Sequence, residues 1–196
     1  MKTYYHRRAP EYDDWWFGDG LYAPVPEKWT RERDLLLERL EELPPKRTLD
    51  VACGTGFVTL HLPGEVVGLD QSDAMIALAA NRVPTATFVV GDALRLPFAD
   101  DAFERVFTSH FYGHLEEADR LAFVAEARRV APELVVVDAG THGGLERAEW
   151  QERVLKDGSK WKVYKRFLST RTLLGELGGG TSLHSGRWFV AVRSLR

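Results

Sequence analysis

The chain has one cysteine, Cys53, in 196 residues, so no internal disulfide can form. That scarcity fits a reducing compartment. No apolar run approaches the roughly 20 residues of a membrane helix. Residues 1–10 are polar and basic, without the apolar centre of a secretion signal. A cytoplasmic protein with no membrane partner is the expectation. Charge of neither sign dominates: 26 Lys and Arg face 29 Asp and Glu, a net −3. That balance argues against a wide nucleic-acid-binding face. The local basic stretch of Lys160, Lys162, Lys165 and Arg166 reads first as a solvated face. There is no G-K-[ST], which excludes a P-loop, and no complete G-x-G-x-x-G for a dinucleotide.

What the chain does have is TLDVACGTGF, residues 48–57. An apolar run stops at Asp50, and the small residues Ala52, Cys53, Gly54, Thr55 and Gly56 follow. A carboxylate beside a tight glycine turn repels a pyrophosphate and suits a ligand carrying positive charge. Short apolar runs then alternate with helical patterns. Strands are expected at 48–51, 66–69, 87–90, 103–108 and 134–137, the first, second and fifth leading into Asp50, Asp70 and Asp138. Helices are expected at 27–43 (Leu36, Leu40 and Leu43 on one face), at 56–62, after a cap at Ser72 or Asp73, at 116–131 and at 169–177. In the helix at 116–131, Leu121, Val124 and Ala125 are expected on the core side.

Strands joined by crossover-length segments form a parallel sheet with helices on both faces. Its ligands bind beyond the C-terminal strand ends, at the switch point. Asp50, Asp70, Asp92, Ser109, His110 and Asp138 gather there. The tail leaves no room for another crossover. Residues 181–184 and 188–192 read as strands around the tight turn Ser185-Gly186, an antiparallel finish.

Taken in order, LDVACGTG, VVGLDQSDAMIALA, FVVGDALRLPFADDAFERVF and EARRVAPELVVVD resemble the class I S-adenosylmethionine-dependent methyltransferases, in particular the small type 11 domains. The match runs over roughly residues 30–140. Ala52 replaces the first glycine of the usual D-x-G-x-G-x-G, Phe57 stands at the third, and K-P-G-G is shortened to Ala131-Pro132-Glu133. The resemblance implies an α/β, Rossmann-like fold. Its seven-stranded sheet is mostly parallel, with an antiparallel C-terminal hairpin. One methyltransferase domain over 1–196 is expected: an aromatic lid at 1–24, a cofactor-binding core at 25–140, a small cap or linker at 141–168, and a helix and hairpin at 169–196.

The implied cofactor is S-adenosyl-L-methionine, released as S-adenosyl-L-homocysteine. Asp50 would help to hold the methionine end through water. Gly54 and Gly56 would let the backbone approach the nucleoside. Asp70 would accept from the ribose hydroxyls, Met75 would lie against the adenine, and Asp92 with the Ala93 amide would read its edge. Thr55, Gln71, Gly91, Ser109 and, from the lid, Arg8 and Tyr12 complete the expected set. Arg8 would pair with the donor's carboxylate, and Tyr5 and Trp16 would face inward beside it. For Met75 the competing reading is a plain core methionine, and for Asp92 a helix N-cap.

Methyl transfer needs alignment more than acid–base groups. The acceptor is expected to be a small organic molecule, methylated at O or N by in-line displacement. The pattern [DN]-P-P-[FYW] is absent after the fourth strand, and Cys53 is tied up in the turn. Trp15, Trp16, Tyr22, Trp150, Trp161 and Tyr164 are candidates for an apolar acceptor wall. His110 is the candidate base or orienting group, against a packing histidine. Its i, i+4 spacing from His114 is a weak metal signal; no metal is expected, and His114 reads as structural, bonded to a backbone carbonyl. A monomer or homodimer is expected. Two other readings stay open: a protein or RNA methyltransferase working with a partner through the basic 160–166 stretch, and a non-catalytic S-adenosylmethionine binder.

Overall fold

The computed structural model describes residues 1–20 and 24–196. Tyr22, one of the expected wall residues, lies outside them. Five strands run parallel: β1 (Thr48–Val51), β2 (Val66–Asp70), β3 (Thr87–Val90), β4 (Arg105–Ser109) and β5 (Glu133–Ala139). Two more, β8 (Thr181–Ser185) and β9 (Phe189–Leu195), close the sheet in the order β3-β2-β1-β4-β5-β9-β8. β9 is antiparallel to both neighbours. The mostly parallel seven-stranded sheet with its terminal hairpin is thus the expected one. From β1 the chain steps outward through β2 to β3, then returns to the other side of β1 as β4. The crevice of the sheet therefore opens between the ends of β1 and β4.

Alternation along β5 sorts the core into two layers. Val135 and Val137 face α3 (Glu27–Glu41), packing with Trp29, Leu36 and Leu40. Leu134 and Val136 face the other way, toward Phe123, Ala127 and Val130 of α5 (Glu117–Val130) and Leu173 of α6 (Thr170–Glu176). Fully burying an aliphatic side chain of this kind is worth about 1.5–3 kcal/mol. Such two-sided cover is why β1, β2 and β5 are buried along their whole length.

Two expectations fail, and a third takes a definite form. Residues 56–62 form only a 3-10 turn, Thr59–His61, because the glycine turn occupies the first half of that stretch. In α5 Phe123, Ala127 and Val130 are buried and Val124 packs beside them as expected, whereas Ala125 is exposed and Leu121 is 67% exposed. The two stripes compete at the same period, and the one carrying the large phenyl ring is turned inward. Within residues 141–168, expected as a small cap or linker, β6 (Arg147–Val154) and β7 (Lys160–Phe167) form a separate two-stranded antiparallel ribbon. Burial on β7 alternates, with Val163, Lys165 and Phe167 inward and Lys160 and Lys162 outward. The basic stretch is therefore split between two faces rather than presented on one.

The N-terminal segment is folded into α1 (Lys2–Arg8), a 3-10 turn (Ala9–Glu11) and α2 (Asp14–Phe17). These helices are too short to show a period. Tyr4 packs against Trp161 of β7 with ring centroids 5.7 Å apart. Among the described residues no helix is long and apolar enough to cross a membrane.

Candidate active site

β1 ends at the turn whose left-handed backbone requires small residues: Ala52 has φ 58°, Gly54 φ 56° and Gly56 φ 76°. At Ala52 the left-handed backbone carries an L side chain, a methyl that lines the cavity. Asp70, ending β2, fastens this turn. Its Oδ2 accepts from the Gly54 amide at 3.1 Å and its Oδ1 from the Ser72 amide at 2.8 Å. Ser72 in turn caps α4 (Asp73–Arg82), accepting from the Met75 amide at 3.3 Å. One carboxylate thus sets the glycine turn against the start of α4. Burial pushes the Asp70 carboxyl up, against the pull of those backbone donors.

A cavity of about 220 Å³ opens beside it. Ala52, Gly54, Asp70, Gln71, Met75, Gly91, Asp92, Ala93, Ser109, His110 and Tyr12 all line it, as expected from the sequence. Tyr5, His114 and Asp119 join them. Met75 is 1% exposed yet reaches the cavity wall, so its two readings are compatible. No helix follows Asp92; its Oδ1 instead accepts from the Leu94 amide at 2.9 Å, a local turn.

Four expected residues stand elsewhere. Gly56 does not face the cavity: a Cβ there would come within 3.1 Å of Ala79 in α4, so this glycine serves helix packing. Thr55 donates from Oγ1 to Asp13 Oδ1 at 2.5 Å. Asp50 accepts from Thr59 Oγ1 at 2.6 Å, and burial pushes its carboxyl up to about 7, with Asp70 adding to the rise. It borders a small void of about 20 Å³ with Thr55, Ser109 and His110, room enough for one water. Arg8 donates to the Tyr4 hydroxyl at 3.0 Å and lies over the Tyr12 ring, and it lines a second cavity instead.

That second cavity, about 420 Å³, shares Tyr5, Tyr12, His110 and His114 with the first. Trp15, Trp29, Trp188, Phe167 and Phe189 form its apolar wall. Arg8, Gln151, Arg153, His142 and Lys165 form the polar one. Of the expected aromatic residues that are described, only Trp15 is placed in the wall. Trp16 is buried between Phe57 and Phe189. Trp161 packs on Tyr4, while Trp150, 60% exposed, meets Tyr164 on the outer face of the ribbon. The wall is also basic, which the sequence reading did not foresee. The inward alternation Val163, Lys165, Phe167 was the available signal.

His110 sits where the cavities meet. Its backbone is also left-handed, φ 55°, and its ring meets Trp15 edge-on at 4.7 Å. Burial drives the imidazole down to about 3; Asp138 opposes the shift and Lys165 adds to it. Its Nε2 and the neighbouring Ser109 Oγ are buried without a hydrogen-bond partner. Both residues line the first cavity, and buried polar atoms of this kind are ordinarily paired. His114 Nδ1 lies 2.6 Å from the Tyr164 carbonyl, as the structural reading expected. A carbonyl only accepts, so Nδ1 carries the proton and Nε2 the lone pair. Behind both histidines Asp138 is fully buried, accepting from Lys165 Nζ, Gly113 N and Ala139 N, each at 2.7 Å. Among the described residues no cluster of three or more His, Cys, Asp or Glu side chains could hold a metal ion.

The fit to the implied donor rests on these features: a buried acid at the end of β2, small residues where backbone lines the cavity, and unpartnered polar atoms at the junction. Comparison with known proteins points the same way. Residues 48–133 match the family described as a methyltransferase domain. Demethylmenaquinone methyltransferase of Thermotoga maritima is 36% identical over 106 residues, 52% of this chain and 45% of that protein. The protein of that name from Renibacterium salmoninarum is 33% identical, over 66% of this chain and 54% of its own length. The chain thus spans about half the length of the curated relatives it matches. A solved structure described as a DhpI-SAM-HEP complex is 27% identical with a TM-score of 0.76, covering 98% of this chain and 94% of that one. Over residues 48–133 the chain thus matches a methyltransferase domain, and as a whole it is similar in sequence and fold to class I S-adenosylmethionine-dependent methyltransferases.

Proposed function

We propose that the protein transfers a methyl group from S-adenosylmethionine to an oxygen or nitrogen of a small organic acceptor. The observation that carries this reading is the pair of contiguous cavities meeting at His110. One is bounded by the glycine turn and Asp70, the other by aromatic side chains. When bound, S-adenosylmethionine would supply an activated methyl: the new C–O or C–N bond would form as the C–S bond breaks, sulfur would keep the electron pair, and a proton lost by the acceptor would pass to water.

The chain's own work is binding and alignment, which in well-oriented cases supplies roughly 7–11 kcal/mol of a barrier. Asp70 accepts from the ribose hydroxyls while continuing to hold Gly54 and Ser72. Met75 packs the adenine, and Asp92 with the Ala93 amide reads its edge. Asp50 acts through a water in the void beside it. His110, neutral at pH 7 by virtue of its burial, orients the acceptor through Nε2 and is too weakly basic to serve as the main proton acceptor. The His114 lone pair lies on the same shared wall. Residues 1–20 act as a lid, since Tyr5 and Tyr12 cover both cavities and exclude water from them. Enclosure by this segment and the β6–β7 ribbon favours a small acceptor. The proposed macromolecular contact at 160–166 loses its basis, because Lys165 is buried and Arg166 is paired with Glu176 at 2.6 Å.

Calorimetry with S-adenosylhomocysteine tests the donor site. Asp70→Ala should weaken binding by about 1.5–3 kcal/mol, the value of hydrogen bonds to a charged group. Unchanged affinity in the folded variant removes the assignment. Methyl transfer to any member of a small-metabolite panel, followed with labelled donor, eliminates a purely binding role.

A further inference from the structure

The second cavity has a polar end that the methyl-transfer reading does not use. Arg153 and Gln151 project from the inner face of β6, where residues 149, 151 and 153 are the partly buried set. Gln151 Nε2 donates to Glu149 Oε1 at 2.7 Å, which fixes the amide so that its oxygen faces Arg153. That oxygen accepts from Arg153 Nε at 3.1 Å and Nη2 at 2.5 Å. Only one edge of the guanidinium fork is thereby engaged. Among the described residues no carboxylate lies within ion-pair distance of Arg153, and no Asp or Glu lines this cavity. The ammonium of Lys165 and the guanidinium of Arg8 stand in the same wall, and Asp138 behind Lys165 supplies one compensating charge.

A partly buried guanidinium held in one orientation by a neutral amide is costly unless an anion completes it. A planar fork with free N–H groups on one edge matches a carboxylate or phosphoryl group. Burial is the largest cause of the lowered values of His110, His114 and His142; for each of them a neighbouring cation lowers the value further, Lys165 in every case. These imidazoles are kept neutral chiefly by burial, with Lys165 adding to the effect.

Resting on the methyltransferase reading, we infer that the acceptor carries an oxyanion, a carboxylate or a phosphoryl group, which Arg153 grips while the atom to be methylated is directed toward His110. The aromatic wall then takes the apolar remainder of the molecule. Arg153 acts here as a specificity residue and not in the transfer itself.

The test uses the full chain saturated with S-adenosylhomocysteine and follows tryptophan fluorescence, since Trp15, Trp29 and Trp188 line the cavity. The probes are acetate, methylphosphonate and the neutral acetamide. Both anions should bind, and acetamide should not at equal concentration. Arg153→Gln should weaken anion binding at least about tenfold, as expected for loss of a charge-assisted contact, with Arg153→Lys intermediate. The tighter of the two anions tells a carboxylate acceptor from a phosphoryl one. S-adenosylhomocysteine binding that persists in both variants shows that they are folded. Anion binding that survives Arg153→Gln, or equal binding of acetamide, overturns the inference. Failure of the wild-type chain to bind S-adenosylhomocysteine instead overturns the methyltransferase reading.

Discussion

The Lys165 ammonium lies 2.7 Å from the Asp138 carboxylate, both almost wholly buried, where the β6–β7 ribbon meets the end of β5. The pair joins the ribbon to the sheet. Burial alone would raise the Asp138 carboxyl, but Lys165, with His110 and His114, holds it down to about 2. Lys165→Met should therefore leave an uncompensated buried charge and cost about 3–5 kcal/mol in urea unfolding. Because the folded value lies below the ordinary one, this contribution is complete above about pH 4 and is lost as pH falls toward 2. A variant as stable as wild type at pH 7 would show that the pair does not hold the ribbon.

Asp50 should give the opposite slope. Its folded value, about 7, lies above that of a free carboxyl. The ligand-free protein then binds an extra proton when folded, and loses that stability as pH rises from about 4 through 7. Asp50→Asn keeps an acceptor for Thr59 and should flatten this part of the profile. Denaturation midpoints at pH 5 and pH 8 decide it: a wild-type loss that persists in the variant excludes Asp50 as the cause.

Asp13 is the fastening of the N-terminal segment. It accepts from Thr55 Oγ1 at 2.5 Å and from Arg82 Nη2 at 2.6 Å, while Arg82 also donates to the Thr55 carbonyl at 2.9 Å. Asp13→Ala should release S-adenosylhomocysteine roughly tenfold faster, a loss of about 1.4 kcal/mol from a partly buried charged contact. Unfolding midpoints should barely move. An unchanged dissociation rate in stopped flow would mean that the segment is not what retains the ligand.

For His110 the expected signature is a rate loss without a change of profile. A group titrating near pH 3 contributes no limb between pH 5 and 8. His110→Gln should lower turnover by about 10–100-fold, since misplacing a reactant by about 1 Å can cost a hundredfold. The pH dependence should keep its shape. Disappearance of an acidic limb near neutrality in the variant would instead identify His110 as the base.

Strand ends were the readable part of this chain. Asp50, Asp70 and Asp92 each follow a short apolar run, and a parallel sheet forces such ends to one edge, so spacing alone could gather these acids, with Ser109 and His110. The other residues expected in the first cavity were named through the family resemblance. Gly56 shows the limit of that logic. A glycine signals that something comes close, and here the neighbour is Ala79 rather than a ligand. The acceptor side was hidden for a physical reason: a ribbon with Gln151, Arg153 and Lys165 on its inner face breaks the apolar alternation by which strands are recognised. Its most prominent aromatic, Trp150, points to solvent. In α5 two apolar stripes share one period, and the expected Leu121 gives way to Phe123, whose larger ring takes the core.

Tyr5 and Tyr12 stand in the walls of both cavities. Under the proposed reaction, a movement of the segment that carries them would reshape both chambers together, on the microsecond-to-millisecond scale of such segments. A molecule that bridges both chambers would restrain it.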